Sequence, residues 1–335
     1  LTLSRTILVG IYSPFPAWNI PLASVARLQD QFPHHRILHA RSDDEALELV
    51  GDAEIAFMAE VRPSHLQAAG RLQWIHSPAA GVGGMLFPAM VESPVVMTNS
   101  RGISADTIAE HVLAVTLAMF RKLPLVWQSQ AAKEWAQSAV LADPPLRTIA
   151  GARALVVGLG SIGMATASRL AALGARVEAV RRRPGGPQPA FVERVVSPEA
   201  LIDVLPGADV VVLAAPQTRD TRGLIGPREL GAMRRGSLLV NVSRGKLVDE
   251  AALATALSAP PLTRTVSGAA LDVFEHEPLS PDSPLWSLPN VLITPHIAGF
   301  RADHWDAVTA LFADNLRRFE SGQSLLNVVD KVAGY

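Results

Sequence analysis

The stretch "LVVGLGSIGMATASRLAALGARVEAV", residues 155–180, leaves the chain little freedom of fold. An apolar run of strand length meets Gly158-x-Gly160-x-x-Gly163, then an amphipathic segment of helical period, then a second apolar run. A strand that feeds a glycine turn and a helix, and returns as a second strand, builds a parallel βαβ unit. Each glycine has a task in such a unit. Gly158 permits the tight turn off the strand, Gly160 lets the backbone approach a diphosphate, and Gly163 lets the helix lie close on the sheet. The diphosphate would sit at the helix N-terminus, near Ser161 and Ile162, where amides and the helix dipole favour an anion. The glycine spacing alone is often accidental; between this strand and this helix it predicts a dinucleotide site.

At the end of the second strand, about 20 residues beyond the glycines, the NAD form of this unit carries an Asp or Glu that hydrogen-bonds the ribose hydroxyls. Here the sequence reads Arg181-Arg182-Arg183. A charge run is ordinarily a solvated turn. At this position an acid would repel a 2′-phosphate, whereas cations attract it. NADP fits both the missing acid and the arginines present, so NADPH is expected to be preferred over NADH. Arg181 and Arg182 follow the strand directly and are the first candidates for the phosphate, with Arg183 pointing outward.

Alternating strand-like and helix-like segments run along the rest of the chain and predict an α/β protein. "TILVGIY", "EIAFMAE" and "LQWIHSP" read as strands of a first, smaller unit, with helices at "PLASVARLQDQF" and "PSHLQAAG". "SADTIAEHVLAVTLAMFRK" reads as a long buried helix with Ser104 or Asp106 as N-cap. Beyond the glycine unit come strands at "ADVVVLAAP", "GSLLVNVS", "SGAALDV" and "NVLITPH", a helix at "DEAALATALSA", and a last helix that ends near Gly322. At 335 residues the chain is long enough for two domains. With 49% hydrophobic and 18% charged residues it is globular and not disordered. A net charge of −1 gives no reason to expect nucleic acid or an anionic membrane as partner. The absence of cysteine excludes disulfides, thiolate metal sites and cysteine nucleophiles, and fits a reducing cytoplasm. The first apolar run lacks the basic start and length of a signal peptide, and no run approaches the ~18 apolar residues of a membrane span. A soluble, cytoplasmic protein is expected.

Three further motifs place reactive side chains at strand ends. "NVSRG" (241–245) puts Arg244 just past a strand, "LDVFEHEP" (271–278) puts Asp272 at a strand end with Glu277 before a proline, and "TPHIAG" (294–299) delivers His296. Ligands of open α/β sheets bind at that edge. Arg244 can bind the carboxylate of a 2-oxo acid and polarise its carbonyl by charge-assisted bonds. His296 can donate a proton to the forming alkoxide, and a carboxylate beside it can orient the imidazole. Two acids compete for that place, Glu275 and Glu277.

These residues resemble the D-isomer-specific 2-hydroxyacid dehydrogenase family, over almost the full chain. The landmarks are Gly158-Leu-Gly-Ser-Ile-Gly163, Asn241-Val-Ser-Arg-Gly245, Leu271-Asp-Val-Phe-x-x-Glu-Pro278, Thr294-Pro-His-Ile-Ala-Gly299 and the closing "NVVD". The resemblance implies two Rossmann-like domains with parallel sheets, one flavodoxin-like and one dinucleotide-binding. Residues 1–101 and 298–335 would form the substrate domain, and 102–297 the inserted cofactor domain that carries most of a homodimer interface. It implies Arg244, Glu277 and His296 as the catalytic set, with Glu277 chosen over Glu275 because it directly precedes Pro278. It places Ser161 and Ile162 by the diphosphate, Pro216 beside the adenosine and Asp272 at the nicotinamide carboxamide, with Val242, Ser243, His296 and Gly299 also lining the cofactor. "AGV" (80–82) resembles the family's substrate loop, so the Gly81 and Val82 amides would hold the substrate carboxylate beside Arg244 and His296.

The sequence departs from the family's common pattern in three places. The acid is replaced by arginine, as in the NADP-dependent branch. The loop "SPAAGVGG" lacks the Asp that many members carry after the Val, and the Pro-rich connection 258–267 is longer than usual. The favoured reading is an NADPH-dependent reductase of glyoxylate or hydroxypyruvate. The alternatives are a non-catalytic, dinucleotide-sensing protein like the corepressors that share this fold, and a phosphoglycerate-type dehydrogenase. No metal site is expected: His34, His35 and His39 lie close in sequence, but no carboxylate pattern completes a set. His76 and His111, in apolar surroundings, read as satisfied core residues, whereas His276 and His304 could reach a cleft. Trp135 resembles a family tryptophan that reaches a neighbouring active site, or else packs an interface.

Overall fold

Strands that are apolar at every position must be covered on both faces, and parallel sheets flanked by helices provide that cover. A computed structural model of the protein, which describes residues 4–142, 144–260 and 263–335, contains two such sheets. The chain divides into two units, Leu1–Ile103 with Arg301–Tyr335, and Ser104–Phe300. The breaks lie slightly C-terminal of the expected 101/102 and 297/298. Pro261 and Leu262, within the Pro-rich connection, lie outside the described residues, as does Asp143.

In the first unit β1 (Thr6–Gly10), β2 (Arg36–Ala40), β3 (Ile55–Met58), β4 (Trp74–Ser77) and β5 (Val96–Asn99) form a parallel sheet in the order β2-β1-β3-β4-β5. This is the flavodoxin-like order. Successive side chains of β1 serve opposite faces. Leu8 joins Ile75, Met58 and Met97 on one face, while Ile7 and Val9 pack with Phe57, Trp74 and Phe312 of the helix His304–Glu320 on the other. That last helix therefore returns to the first unit, and Gly322 just past it adopts φ +68°, the left-handed stop expected there.

In the second unit β6 (Arg153–Val157), β7 (Arg176–Val180), β8 (Arg194–Val196), β9 (Val210–Leu213), β10 (Ser237–Asn241), β11 (Val266–Leu271) and β12 (Val291–Ile293) form the order β12-β11-β10-β9-β6-β7-β8. This is the dinucleotide-binding order with one strand added at the β12 edge. Leu155 and Val157 pack on one face with Val211 and Leu239, and Ala154 and Val156 on the other with Val210 and Val240. The chain leaves β6 toward β7 and comes back on its other side as β9, so the switch point lies between β6 and β9. The helix Ala105–Phe120 starts at Ser104, whose side chain makes no cap bond; Asp106 instead pairs with Arg169 at 2.9 Å. Among the described residues no helix is long and apolar enough to cross a membrane.

Candidate active site

The glycine motif lies at the β6 end of that switch point. A Cβ on Gly163 would sit 1.8 Å from the Gly158 carbonyl oxygen, so only glycine lets the helix Ser161–Ala172 approach the strand this closely. Gly160 is the N-cap of that helix, and a Cβ there would meet nothing within 4 Å. The first-turn amides of a helix have no intrahelical acceptor. A side-chain-free cradle therefore stands at a helix N-terminus, which fits a diphosphate. Pro216 lies exposed beyond β9, on the neighbouring side of the switch point.

The arginine run that follows β7 divides its tasks. Arg181 is half-buried, and its guanidinium donates to the carbonyls of Pro184 (3.0 Å), Gly186 (2.7 Å) and Pro187 (3.3 Å). It gathers its own turn. Arg182 and Arg183 are the exposed cations of the run.

Arg244, Asp272 and His296 follow β10, β11 and β12, three neighbouring strands, at their C-terminal ends. A Cβ on Gly245 would fall 1.8 Å from the Phe274 carbonyl carbon, so the Arg244 turn presses on the loop that carries Glu277. Burial lowers the Arg244 pKa from its ordinary value, and the nearby Glu277 charge opposes that shift. One Nη of Arg244 donates to the Ser243 carbonyl at 2.7 Å. Glu277 Oε2 lies 2.6 Å from His296 Nδ1, and Oε1 accepts the Phe274 amide at 3.0 Å. Burial pushes the Glu277 carboxyl up, but the bonds from His296 and Phe274, with the His296 and Arg244 charges, hold it below the usual carboxylate range. Glu275 is engaged elsewhere: its carboxylate accepts the Glu250 amide (3.0 Å), and its own amide donates to Glu250 (2.7 Å). Glu277, and not Glu275, is the partner of His296.

His296 has φ +54°, a left-handed conformation that costs a non-glycine residue about 1–3 kcal/mol. Its amide donates to the carbonyls of Asp272 (2.9 Å) and Thr294 (3.0 Å). Asp272, expected at the nicotinamide, is only 2% exposed. Its carboxylate accepts Thr294 Oγ1 (2.6 Å) and the amides of Ile297 (2.9 Å) and Ala298 (3.0 Å). Ser243 is likewise buried, and its hydroxyl donates a short bond to the Ala215 carbonyl, tying the β9 and β10 ends together. Val242 is buried, and Gly299 packs against Ser104. The sequence motifs assign Thr294 no part and His111 only a place in the core; a polar residue opening a strand-end motif was the available signal for Thr294.

In the first unit Gly81 is exposed, and the Val82 side chain is buried in the core. The loop that carries them is pinned by Asn99 Nδ2 on the Ala80 carbonyl (2.7 Å) and the Ser100 amide on the Ala79 carbonyl (3.2 Å). His76 is a satisfied core histidine. Thr98 Oγ1 lies 2.7 Å from its Nδ1 and Ser100 Oγ 3.2 Å from its Nε2, and burial lowers its pKa to about 3.

One cluster was not anticipated. Glu320, from the last helix, brings Oε1 to 2.9 Å from His34 Nε2 and 3.2 Å from His35 Nε2, so a carboxylate does complete the histidine pair. His35 Nδ1 accepts the Arg5 amide at 3.3 Å, which leaves the proton of the neutral ring on Nε2, facing the carboxylate. A protonated Nε2 has no lone pair to offer a metal, so that tautomer opposes metal ligation there. Elsewhere His276 is exposed, and His304 begins the last helix. Trp135 is 91% exposed, between the helices Leu123–Ala132 and Gln137–Leu141.

Comparison with known proteins bears on this arrangement. Residues 113–298 match the family model of the D-isomer specific 2-hydroxyacid dehydrogenase, NAD binding domain. A D-3-phosphoglycerate dehydrogenase of Archaeoglobus fulgidus is 33% identical over 79% of the chain, which spans only 48% of that relative's length. A glycerate dehydrogenase of Methylorubrum extorquens is 31% identical, with 86% of this chain and 88% of the relative covered. A solved 2-hydroxyacid dehydrogenase from Xanthobacter autotrophicus Py2, in complex with NADPH and MES, is 30% identical over 99% of this chain and 100% of that chain, with a TM-score of 0.81. An NADPH-dependent glyoxylate/hydroxypyruvate reductase from Sinorhizobium meliloti, in complex with NADP and sulfate, is 26% identical with the same coverage and a TM-score of 0.83. With its glycine cradle, arginine and Glu–His pair on one sheet edge, the chain belongs to the D-isomer specific 2-hydroxyacid dehydrogenase family.

Proposed function

We propose that the chain is an NADPH-preferring reductase that converts a small 2-oxo acid, glyoxylate or hydroxypyruvate, to the D-2-hydroxy acid. The observation that carries this reading is the Glu277–His296 pair at 2.6 Å, at strand ends next to that of Arg244. With Nδ1 facing a carboxylate, Nε2 is the nitrogen through which His296 delivers its proton to the forming alkoxide. Arg244 binds the substrate carboxylate and draws electron density from its carbonyl. The Gly81 and Val82 amides are the further carboxylate contacts in this reading.

The cradle of Gly158, Gly160, Ser161, Ile162 and Gly163 would hold the diphosphate of NADP, with Pro216 beside the adenosine. Val242, Ser243, Asp272 and Gly299 would line it as residues that shape the pocket. The cofactor, when bound, supplies the hydride. The absence of an acid after β7 and the run Arg181, Arg182 and Arg183 in its place favour a 2′-phosphate, and the two solved relatives above carry NADPH or NADP. A cytoplasmic homodimer is part of the proposal. A second reading, phosphoglycerate oxidation, has the archaeal relative in its favour and the missing NAD-type acid against it. A panel of glyoxylate, hydroxypyruvate, phosphohydroxypyruvate and phenylpyruvate, followed by nicotinamide absorbance with NADPH and with NADH, tests both. The expected outcome is fastest turnover of a small acid with NADPH. Fastest turnover of the phosphorylated acid would replace the first reading by the second, and no turnover of any acid would reject both.

A further inference from the structure

The half-buried His111 lies on the helix Ala105–Phe120, outside the catalytic set. Its Nε2 is 3.2 Å from Thr294 Oγ1, and Thr294 Oγ1 is 2.6 Å from Asp272 Oδ1. Donor bookkeeping fixes the direction of this chain. An ionised carboxylate only accepts, so the Thr294 hydroxyl donates to Asp272 and has its lone pairs left for His111. His111 therefore donates from Nε2–H. Burial lowers its pKa although the Asp272 charge opposes that, which keeps the ring neutral at neutral pH.

The far end of the chain is the loop that holds His296. The Asp272 carbonyl accepts the His296 amide, and the Asp272 carboxylate accepts the two amides that follow, those of Ile297 and Ala298. His296 is thus bracketed on both sides by one buried residue, and its left-handed backbone is the kind that persists only where surrounding bonds over-determine it. A carboxylate with three donors already seated has little freedom to turn toward another partner.

We propose that His111, Thr294 and Asp272 form a directed hydrogen-bond brace that positions the His296 loop, with His111 and Thr294 as positioning residues for proton delivery. The proposal rests on the assignment of His296 as proton donor. It goes beyond that assignment by giving a part in the reaction to two residues that need not touch substrate or cofactor.

The test uses the full chain with NADPH and the 2-oxo acid turned over best, in single-turnover mixing. Thr294→Val removes the hydroxyl and keeps the shape; Thr294→Ser restores the hydroxyl. Misplacement of a reacting group by about 1 Å can cost roughly 100-fold, so Thr294→Val should slow turnover about 10- to 100-fold. The Kd for NADPH, read from tryptophan fluorescence, should change less than about threefold, because such a brace leaves the glycine cradle alone. Thr294→Ser should recover to within about threefold of wild type, and His111→Gln should retain more turnover than His111→Leu because its amide still donates. The Thr294→Val/His111→Leu double variant should be no slower than the worse single one, since both break one chain.

Full turnover in Thr294→Val, failure of Thr294→Ser to rescue, or a loss of NADPH affinity as large as the loss of rate would overturn the brace. If Thr294→Val does not fold, the two His111 variants decide, and equal wild-type rates in both overturn it. His296→Ala runs alongside. A fast His296→Ala rejects the proton-donor assignment itself, whereas a slow His296→Ala with a fast Thr294→Val rejects only the brace.

Discussion

Replacing Glu277 by Gln tests the centre of the proposed chemistry, because the carboxylate serves two donors at once. Oε2 faces His296 Nδ1 at 2.6 Å and Oε1 takes the Phe274 amide at 3.0 Å. A glutamine amide has one acceptor oxygen and one donor nitrogen, so whichever way it turns, one of those two donors meets an N–H. Leaving a buried donor unsatisfied costs about 1–3 kcal/mol. The His296 and Glu277 side chains are 37% and 35% exposed, so water can take up part of that loss. The low end, about 1–1.5 kcal/mol, is the appropriate figure and corresponds to roughly tenfold in rate. Loss of the charge, which makes such bonds about twice as strong as neutral ones, extends the range to about 100-fold. Single-turnover oxidation of NADPH in the presence of the 2-oxo acid reads this directly. The sign of the acid dependence follows from Glu277 being held below its ordinary value of 4.5. Its charged partnership is complete above that value and is lost as pH falls through the lowered pKa, so the advantage of wild type over Glu277→Gln should shrink only in that acid range. Glu275→Gln is the control, expected within about threefold of wild type because Glu275 is bonded to Glu250. Turnover of Glu277→Gln within threefold of wild type, or an equal loss in Glu275→Gln, would refute the pairing.

The other predictions extend to the proton donor, the cofactor and the cradle. His296→Ala should slow single-turnover reduction by roughly 10²–10⁴-fold, the contribution of a general acid. Arg182→Ala with Arg183→Ala should lower kcat/KM for NADPH about 10- to 100-fold and leave that for NADH within threefold, as two exposed contacts to a 2′-phosphate would require. Equal effects on the two dinucleotides would return the arginines to a solvated turn. Gly163→Ala should abolish measurable dinucleotide binding or folding, since its Cβ would overlap the Gly158 carbonyl; wild-type Kd values for NADPH would contradict so close an approach of helix to strand.

Much of the fold was legible because its strands are buried on both faces and so appear as unbroken apolar runs, as in "LVV", "VVVL" and "SLLV". The glycine unit declared itself through steric necessity, and Arg244 and His296 through their place just past strands. Other features depend on where a loop turns back, which residue types do not encode. Nothing in "RRRPGGPQP" reveals that the carbonyls of Pro184, Gly186 and Pro187 converge on Arg181. The place before Pro278 singled out Glu277, but only the fold shows what occupies Glu275, the start of the helix at Glu250. The Glu320 approach to His34 and His35 joins opposite ends of the chain, and Asp106 carried the same cap signal as Ser104 until Arg169 claimed it.

Burial separates two kinds of polar residue that a sequence motif presents alike. Asp272 and Ser243, 2% and 7% exposed, have their oxygens committed to neighbouring loops, and a buried bond broken without replacement is costly. Such groups cannot exchange partners during a reaction cycle without unfolding part of the edge they hold. Glu277 and His296, a little over one third exposed, sit where a proton can arrive from solvent, as the proposed proton delivery requires. The conformation of His296 connects the two kinds. A left-handed backbone at a half-buried residue would relax if its loop were loose, and the His296 amide is held by the carbonyls of Asp272 and Thr294. In the proposed reaction, proton traffic at the rim of this sheet would thus depend on polar groups beneath it that take no part in the traffic themselves.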